Sequence, residues 1–171
     1  MENQQQTSAG QIITHFSLLP HPEGGWYKET YGAEGVIPHG ALPPAFTGDR
    51  RFSTAIYFLL ERGNFSAFHR IQSDECWHFY AGGPLVVYVI NSTGAMLQVK
   101  LGSNFLAGET YQYVVPAGCW FASAPAEGTE YSLVGCTVAP GFDFADFEMA
   151  ERRSLLQEFP QHREIITRFT R

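Results

Sequence analysis

A chain of 171 residues is long enough for one hydrophobic core and too short for two ordinary domains. With 44% hydrophobic and only 16% charged residues it reads as a folded protein and not a disordered one, and 14 Phe with 8 Tyr predict an aromatic interior. A net charge of −6 without Lys/Arg clusters argues against a nucleic-acid partner.

No apolar run approaches the roughly 18 residues of a membrane span, so no membrane association is expected. The polar start MENQQQTSAG carries no secretion pattern, and Cys76, Cys119 and Cys136 are scattered without a CxxC spacing, as reduced core thiols would be. A cytoplasmic protein is expected.

Residues 1–10 read as a flexible tail and 11–171 as the domain, with Ser8 placed to cap a short helix carrying Ile12, Ile13 and Phe16. PHPEGG (20–25) follows as a turn, with His21 and Glu23 serving the Gly-Gly bend or covering the mouth of the fold. A strand is predicted from Trp26 to Tyr31, and the Gly- and Pro-rich stretch 32–48 reads as a long loop. From there the pattern is almost all β. Strands are predicted at Thr54–Leu60, Phe65–Arg70, Cys76–Tyr80, Leu85–Ile90, Ala95–Leu101, Tyr111–Val115, Trp120–Ser123 and Tyr131–Val138. Phe147, Ala150, Leu155 and Leu156 suggest a helix that Asp143 or Asp146 would cap, and Pro160 opens a second bearing Ile165, Ile166 and Phe169. Short strands separated by Gly/Asn turns indicate an antiparallel sandwich or barrel.

The most informative stretch is GNFSAFHRIQSDECWHFYAGG (63–83), which puts His69, Glu75 and His78 on a turn-linked pair of strands. Two strands joined tightly aim a side chain from each into one cavity, where an imidazole beside a carboxylate ligates a metal or moves a proton. Trp77 and Phe79 share the parity of Glu75 and are expected beside it. His78 faces the other way in a regular strand and joins the pocket only if a bulge turns it inward.

Gly63, His69, Glu75 and Gly82 fall on the first cupin motif, G-x5-H-x-H-x3-4-E-x6-G, with Ile71 where its second His belongs. Gly108, Pro116 and Gly118 match the second motif, with Phe121 replacing its His and Pro125 its Asn. The chain resembles a cupin that lacks two of the usual four metal ligands. PHPEGGWYKETY (20–31), TAIYFLL (54–60), SAFHRIQSDECWHFYAGGPL (66–85), VVPAGCWFA (114–122) and YSLVGCTVAPGFDFADFEMA (131–150) look like the cupin-5 family. This resemblance implies a mainly β, single-domain double-stranded β-helix (jelly roll) with a short N-terminal helix and C-terminal helices. It also implies a homodimer and a small-molecule pocket at the barrel mouth, but it brings no established reaction.

Ile71 and Phe121 make the cavity drier and suited to an organic ligand, so neither a metal nor another cofactor is expected. The ligand-binding set is Trp77, Phe79, Trp120, Phe121, Ile71 and His78. The His69 position resembles that of the general base in the sugar-nucleotide 3,5-epimerases, which share the barrel and need no metal. That likeness implies His69 as base, Glu75 as the group that orients it, and a Tyr (27, 57, 80, 111, 113 or 131) as acid. The ligand would be sugar-like or keto-containing, with Arg50, Arg51, Arg62 and Arg70 as candidate phosphate holders. The alternatives are a non-catalytic binding module holding a ligand against Trp77 and Trp120, and a metal-dependent oxygenase.

Overall fold

A computed structural model describes residues 7–171. In chain order the elements are α1 (Ala9–Phe16), β1 (Leu19–Pro20), β2 (Trp26–Gly32), β3 (Val36–Ile37), β4 (Arg50–Arg51), β5 (Thr54–Glu61), β6 (Ser66–Arg70) and β7 (Asp74–Gly82). They continue with β8 (Leu85–Ile90), β9 (Met96–Leu101), β10 (Gln112–Val115), β11 (Trp120–Pro125), β12 (Tyr131–Ala139), β13 (Glu148–Met149), α2 (Arg152–Glu158) and α3 (Arg163–Arg168). Residues 1–6 of the expected tail lie outside the described residues, and Ser8 caps α1 through a reciprocal box with Gln11. The capped helix therefore takes in the last residues of that tail.

Two sheets face each other, one in the order β1-β2-β5-β12-β7-β10 and the other β13-β6-β11-β8-β9. Strand alternation sorts the side chains into three layers. Phe58, Trp77, Val87, Val89, Phe121, Val134 and Cys136 point between the sheets and form the central core. Leu59, Tyr131 and Leu133 point out of the larger sheet and are covered by Ile12 and Leu18 around α1. Phe68, Tyr88, Ile90, Trp120 and Ala122 point out of the smaller sheet beneath Leu155, Ile166 and Phe169 of the C-terminal segment. The architecture is the jelly roll, with helices on both outer faces.

Several expectations change in detail. His69 and Glu75 do not sit on a hairpin: β6 belongs to the smaller sheet and β7 to the larger, so the two residues face each other across the interior. The helix expected around Phe147 and Ala150 begins only at Arg152, because 144–146 forms a three-residue 3-10 turn and β13 then pairs with β6. Glu151 caps α2, accepting from the amides of Arg153 and Ser154, while Asp143 caps the 3-10 turn and Asp146 is paired with Arg50. The 32–48 loop contains β3, which pairs with β4.

Candidate active site

A cavity of about 340 Å³ opens at one end of the sandwich. The larger sheet supplies Tyr27, Glu29, Thr54, Ile56, Phe58, Glu75, Cys136 and Val138, and the smaller sheet and its exit turn supply His69 and Ile71. Two chain segments close it over: the turn with His21 and Glu23, and the 142–147 segment with Phe142, Asp143, Phe144 and Phe147.

The turn explains how a glutamate far away in sequence reaches His69. Gly24 holds φ +115°, and a Cβ there would come within 2.1 Å of the Phe65 carbonyl oxygen, so only glycine permits the approach. The Ala67 amide donates to the Glu23 carbonyl at 2.9 Å, which binds the turn to β6. Glu23 is thereby buried, with Oε2 at 3.0 Å from His69 Nε2 and Oε1 accepting from Ser66 Oγ at 2.9 Å. His69 Nδ1 lies 2.7 Å from the Ala67 carbonyl, an oxygen that only accepts, so Nδ1 carries the ring proton.

Those contacts fix the protonation of the pair. Burial pushes His69 down to about 3, against the upward pull of the Ala67 carbonyl. Burial, reinforced by the nearby charge of Glu75, holds the Glu23 carboxyl well above the usual carboxylate range. The contact is therefore a neutral hydrogen bond, with the Glu23 carboxyl O–H donating to His69 Nε2, and not an ion pair. His21, whose Nδ1 accepts from the Glu23 amide at 3.3 Å, is likewise pushed down by burial, to about 4.

Glu75 is the second buried carboxyl, only 8% exposed. Burial raises it to about 7, and the Cys136 thiol, its hydrogen-bond donor, pulls the other way. The expected orienting role of Glu75 toward His69 is corrected: Glu23 occupies that place. Glu75 instead stands ready to exchange a proton near neutral pH.

This raised pKa has a consequence for stability. Because the folded state holds the Glu75 proton more tightly than an ordinary carboxyl does, the penalty is absent below about 4.5, grows with pH, and is complete above about 7. The difference corresponds to about 3 kcal/mol at 1.36 kcal/mol per pH unit. Glu75→Gln is expected to gain on the parent protein by about that amount between pH 4.5 and pH 8 in urea unfolding. A gap that stays constant with pH would show that Glu75 titrates normally.

Of the other expected ligand contacts, only Ile71 lines the cavity. Trp77 and Phe121 point inward but pack in the core: Trp77 meets Phe58 and Phe121 edge-on, and Phe121 lies against the His69 ring at 4.1 Å between centroids. Phe79 packs against the same core. Trp120 neighbours Phe121 on β11 and so faces the opposite way, under the C-terminal segment with Arg70 over its ring at 4.3 Å. His78 points out of the larger sheet, held by Thr137 and Gln112. Of the tyrosines considered as acids, Tyr27 alone borders the cavity. The PHPEGG turn does cover the cavity mouth, as one reading of His21 and Glu23 had it; what the sequence did not show is the contact of Glu23 with His69, nor the 142–147 aromatics as cavity wall.

The cupin pattern implies a metal, and the side chains present do not fit one. Among the described residues no three His, Cys, Asp or Glu side chains converge in a metal-binding arrangement. Ile71 and Phe121 stand at two ligand positions, and His69 presents Nε2 to Glu23.

Comparison with known proteins agrees with this architecture. A solved structure of protein SO0799 from Shewanella oneidensis superposes with a TM-score of 0.86 at 39% identity, covering 97% of this chain and 99% of that one. Uncharacterized protein YML079W of Saccharomyces cerevisiae is 32% identical over 149 residues, 82% of this chain and 74% of that protein. Oxalate decarboxylase from Bacillus subtilis, at 14% identity and a TM-score of 0.54 over 88% of this chain and 36% of its own, shares the fold alone. The profile described as Cupin superfamily (DUF985) matches residues 10–150, and the chain belongs to that family.

Proposed function

We propose that this cupin is a metal-independent isomerase that moves a proton between adjacent carbons of a small α-hydroxy carbonyl compound. The observation that carries this reading is two buried carboxyls lining one cavity, Glu75 and Glu23, the second with Oε2 at 3.0 Å from His69 Nε2, and burial raises both above the usual carboxylate range. Two titratable groups poised on opposite sides of proton exchange divide the roles of base and acid.

Ionised Glu75 takes the proton from the carbon bearing the hydroxyl, and the electron pair forms the carbon–carbon double bond of an enediol. The Glu23 O–H turns from His69 Nε2 to the carbonyl oxygen, which takes its proton as its own double bond opens. Glu23, now a carboxylate, removes the proton of the neighbouring hydroxyl, and Glu75 returns its proton to the former carbonyl carbon. One hydrogen has moved between carbons and one between oxygens, and both carboxyls end as they began. His69 positions the acid: its Nδ1–H is fixed on Ala67, which leaves Nε2 as a lone pair facing the Glu23 O–H.

The test is solvent exchange. Free aldoses, ketoses and hydroxyketones incubated with the protein in D2O are expected to acquire deuterium next to the carbonyl, read by proton NMR. Absence of exchange with every compound that binds would remove the isomerase reading. It would favour the second one, a non-catalytic binding module, for which the aromatic cavity and its uncharged Glu23–His69 pair also speak.

A further inference from the structure

We infer that the cavity selects uncharged ligands over phosphorylated ones, so that the compound isomerised is a free hydroxy-carbonyl molecule and not a phosphate ester or a nucleotide-linked sugar. The inference rests on the proposed reaction for the carbonyl and on the cavity's own chemistry for the charge.

Among the described residues no Lys or Arg lines the cavity, whereas four side chains there carry carboxyls: Glu23, Glu29, Glu75 and Asp143. A bound phosphate is ordinarily met by charged donors or a free helix N-terminus. Of the four arginines that the sequence offers for that task, three are paired with carboxylates outside the cavity and the exposed fourth, Arg51, stands beyond Glu29. Arg50 binds Asp146, Arg51 approaches Glu29 at 3.8 Å, Arg62 binds Glu130 at 2.5 Å, and Arg70 binds Glu148 at 2.7 Å. Arg171 reaches the backbone carbonyl of Glu23 but does not border the cavity. The 3-10 turn at 144–146 offers no free amide at Ala145 either, because Asp143 accepts from it at 2.8 Å. A phosphate entering here meets carboxylates and aromatic faces in the lining, with Arg51 set outside it beyond Glu29.

The cavity does offer hydrogen-bonding capacity to a polar ligand. Glu75 is more than nine-tenths buried and has the Cys136 thiol as its hydrogen-bond donor, a weak one, which leaves most of its acceptor capacity open. A ligand hydroxyl supplies a donor without adding charge. Tyr27, Phe58, Phe144 and Phe147 then face the C–H surfaces of the same molecule. The volume, about 340 Å³, lies at the small end of ligand cavities, which suits one sugar-sized body.

The experiment reads binding and not turnover. Dihydroxyacetone, erythrulose and fructose, with the phosphate esters of dihydroxyacetone and fructose and with inorganic phosphate, are titrated by ligand-observed NMR. A free compound is expected to bind at least about tenfold more tightly than its ester. The double variant Glu29→Gln, Asp143→Asn is expected to narrow that gap, since it removes charge without enlarging the ligand's path. Equal or tighter binding of an ester, competition by inorganic phosphate, a gap unchanged in the double variant, or no binding by either series would each overturn the inference. A free sugar that binds without deuterium exchange keeps the ligand class and removes the isomerase. An ester that exchanges deuterium does the reverse.

Discussion

Glu75→Gln is expected to slow deuterium exchange by about 10²- to 10⁴-fold, the usual contribution of a positioned acid–base group. The variant separates chemistry from folding because it keeps the side chain's shape and removes only its ability to ionise. Glu75 is raised by burial, so a neutral amide relieves a penalty above pH 7, and the variant should melt no lower than the parent protein there. Loss of exchange in a protein at least as stable as its parent assigns the proton transfer to this carboxyl. Glu23→Gln provides the matching case. Its amide N–H can still donate to His69 Nε2 as the carboxyl O–H does, and its oxygen can still accept from Ser66, but it has no proton to give. Exchange at the parental rate in either variant would move the chemistry elsewhere in the cavity.

The division between what was legible in the chain and what was not follows physical lines. Strand alternation and turn residues placed the long strands of the two main sheets to within a few residues but not the two-residue edge strands β1 and β13, and the Gly63–Gly82 spacing pointed to the cupin fold. Parity correctly turned Glu75 inward and His78 outward on β7. It could not report depth. Trp77 and Phe79 share the inward face with Glu75, but they lie further along the strand, where the interior is filled by Phe58 and Phe121. Phe121 and Trp120 are adjacent on one strand, so both could never have faced one cavity.

The partner of His69 was hidden for a different reason. A pattern read along the chain weighs nearby residues, and Glu75 stood six residues away at the glutamate position of the motif. The true contact depends on a turn that folds back onto β6, which only the conformational freedom of Gly24 allows. The PHPEGG segment showed a tight bend but not where the bend would press its glutamate. The helix expected to carry Phe147 does not start there, because Asp143 caps a three-residue turn instead and Asp146 pairs with Arg50.

That pairing governs the second large effect. Arg50→Ala is expected to destabilise the protein by about 3–5 kcal/mol, the range for removing one partner of a buried ion pair. Arg50 and Asp146 are both 4% exposed at the side chain, and the guanidinium meets both carboxylate oxygens, Nε to Oδ2 at 2.6 Å and Nη2 to Oδ1 at 2.5 Å. Without the arginine, Asp146 is a charge away from water with no counter-ion. A loss of that size is a large share of the roughly 5–15 kcal/mol that holds an ordinary domain together. The damage should concentrate at the cavity, because Asp146 ends the 3-10 turn that carries Phe144 and precedes Phe147. Urea unfolding reads the loss, and limited proteolysis at 142–147 reads its location. Arg50→Met combined with Asp146→Leu should recover much of the stability, since replacing both charges leaves nothing unpaired. If Arg50→Ala cost less than about 1 kcal/mol, the typical value for an exposed pair, water would be reaching Asp146 and the wall of the cavity would be held by its aromatic packing alone.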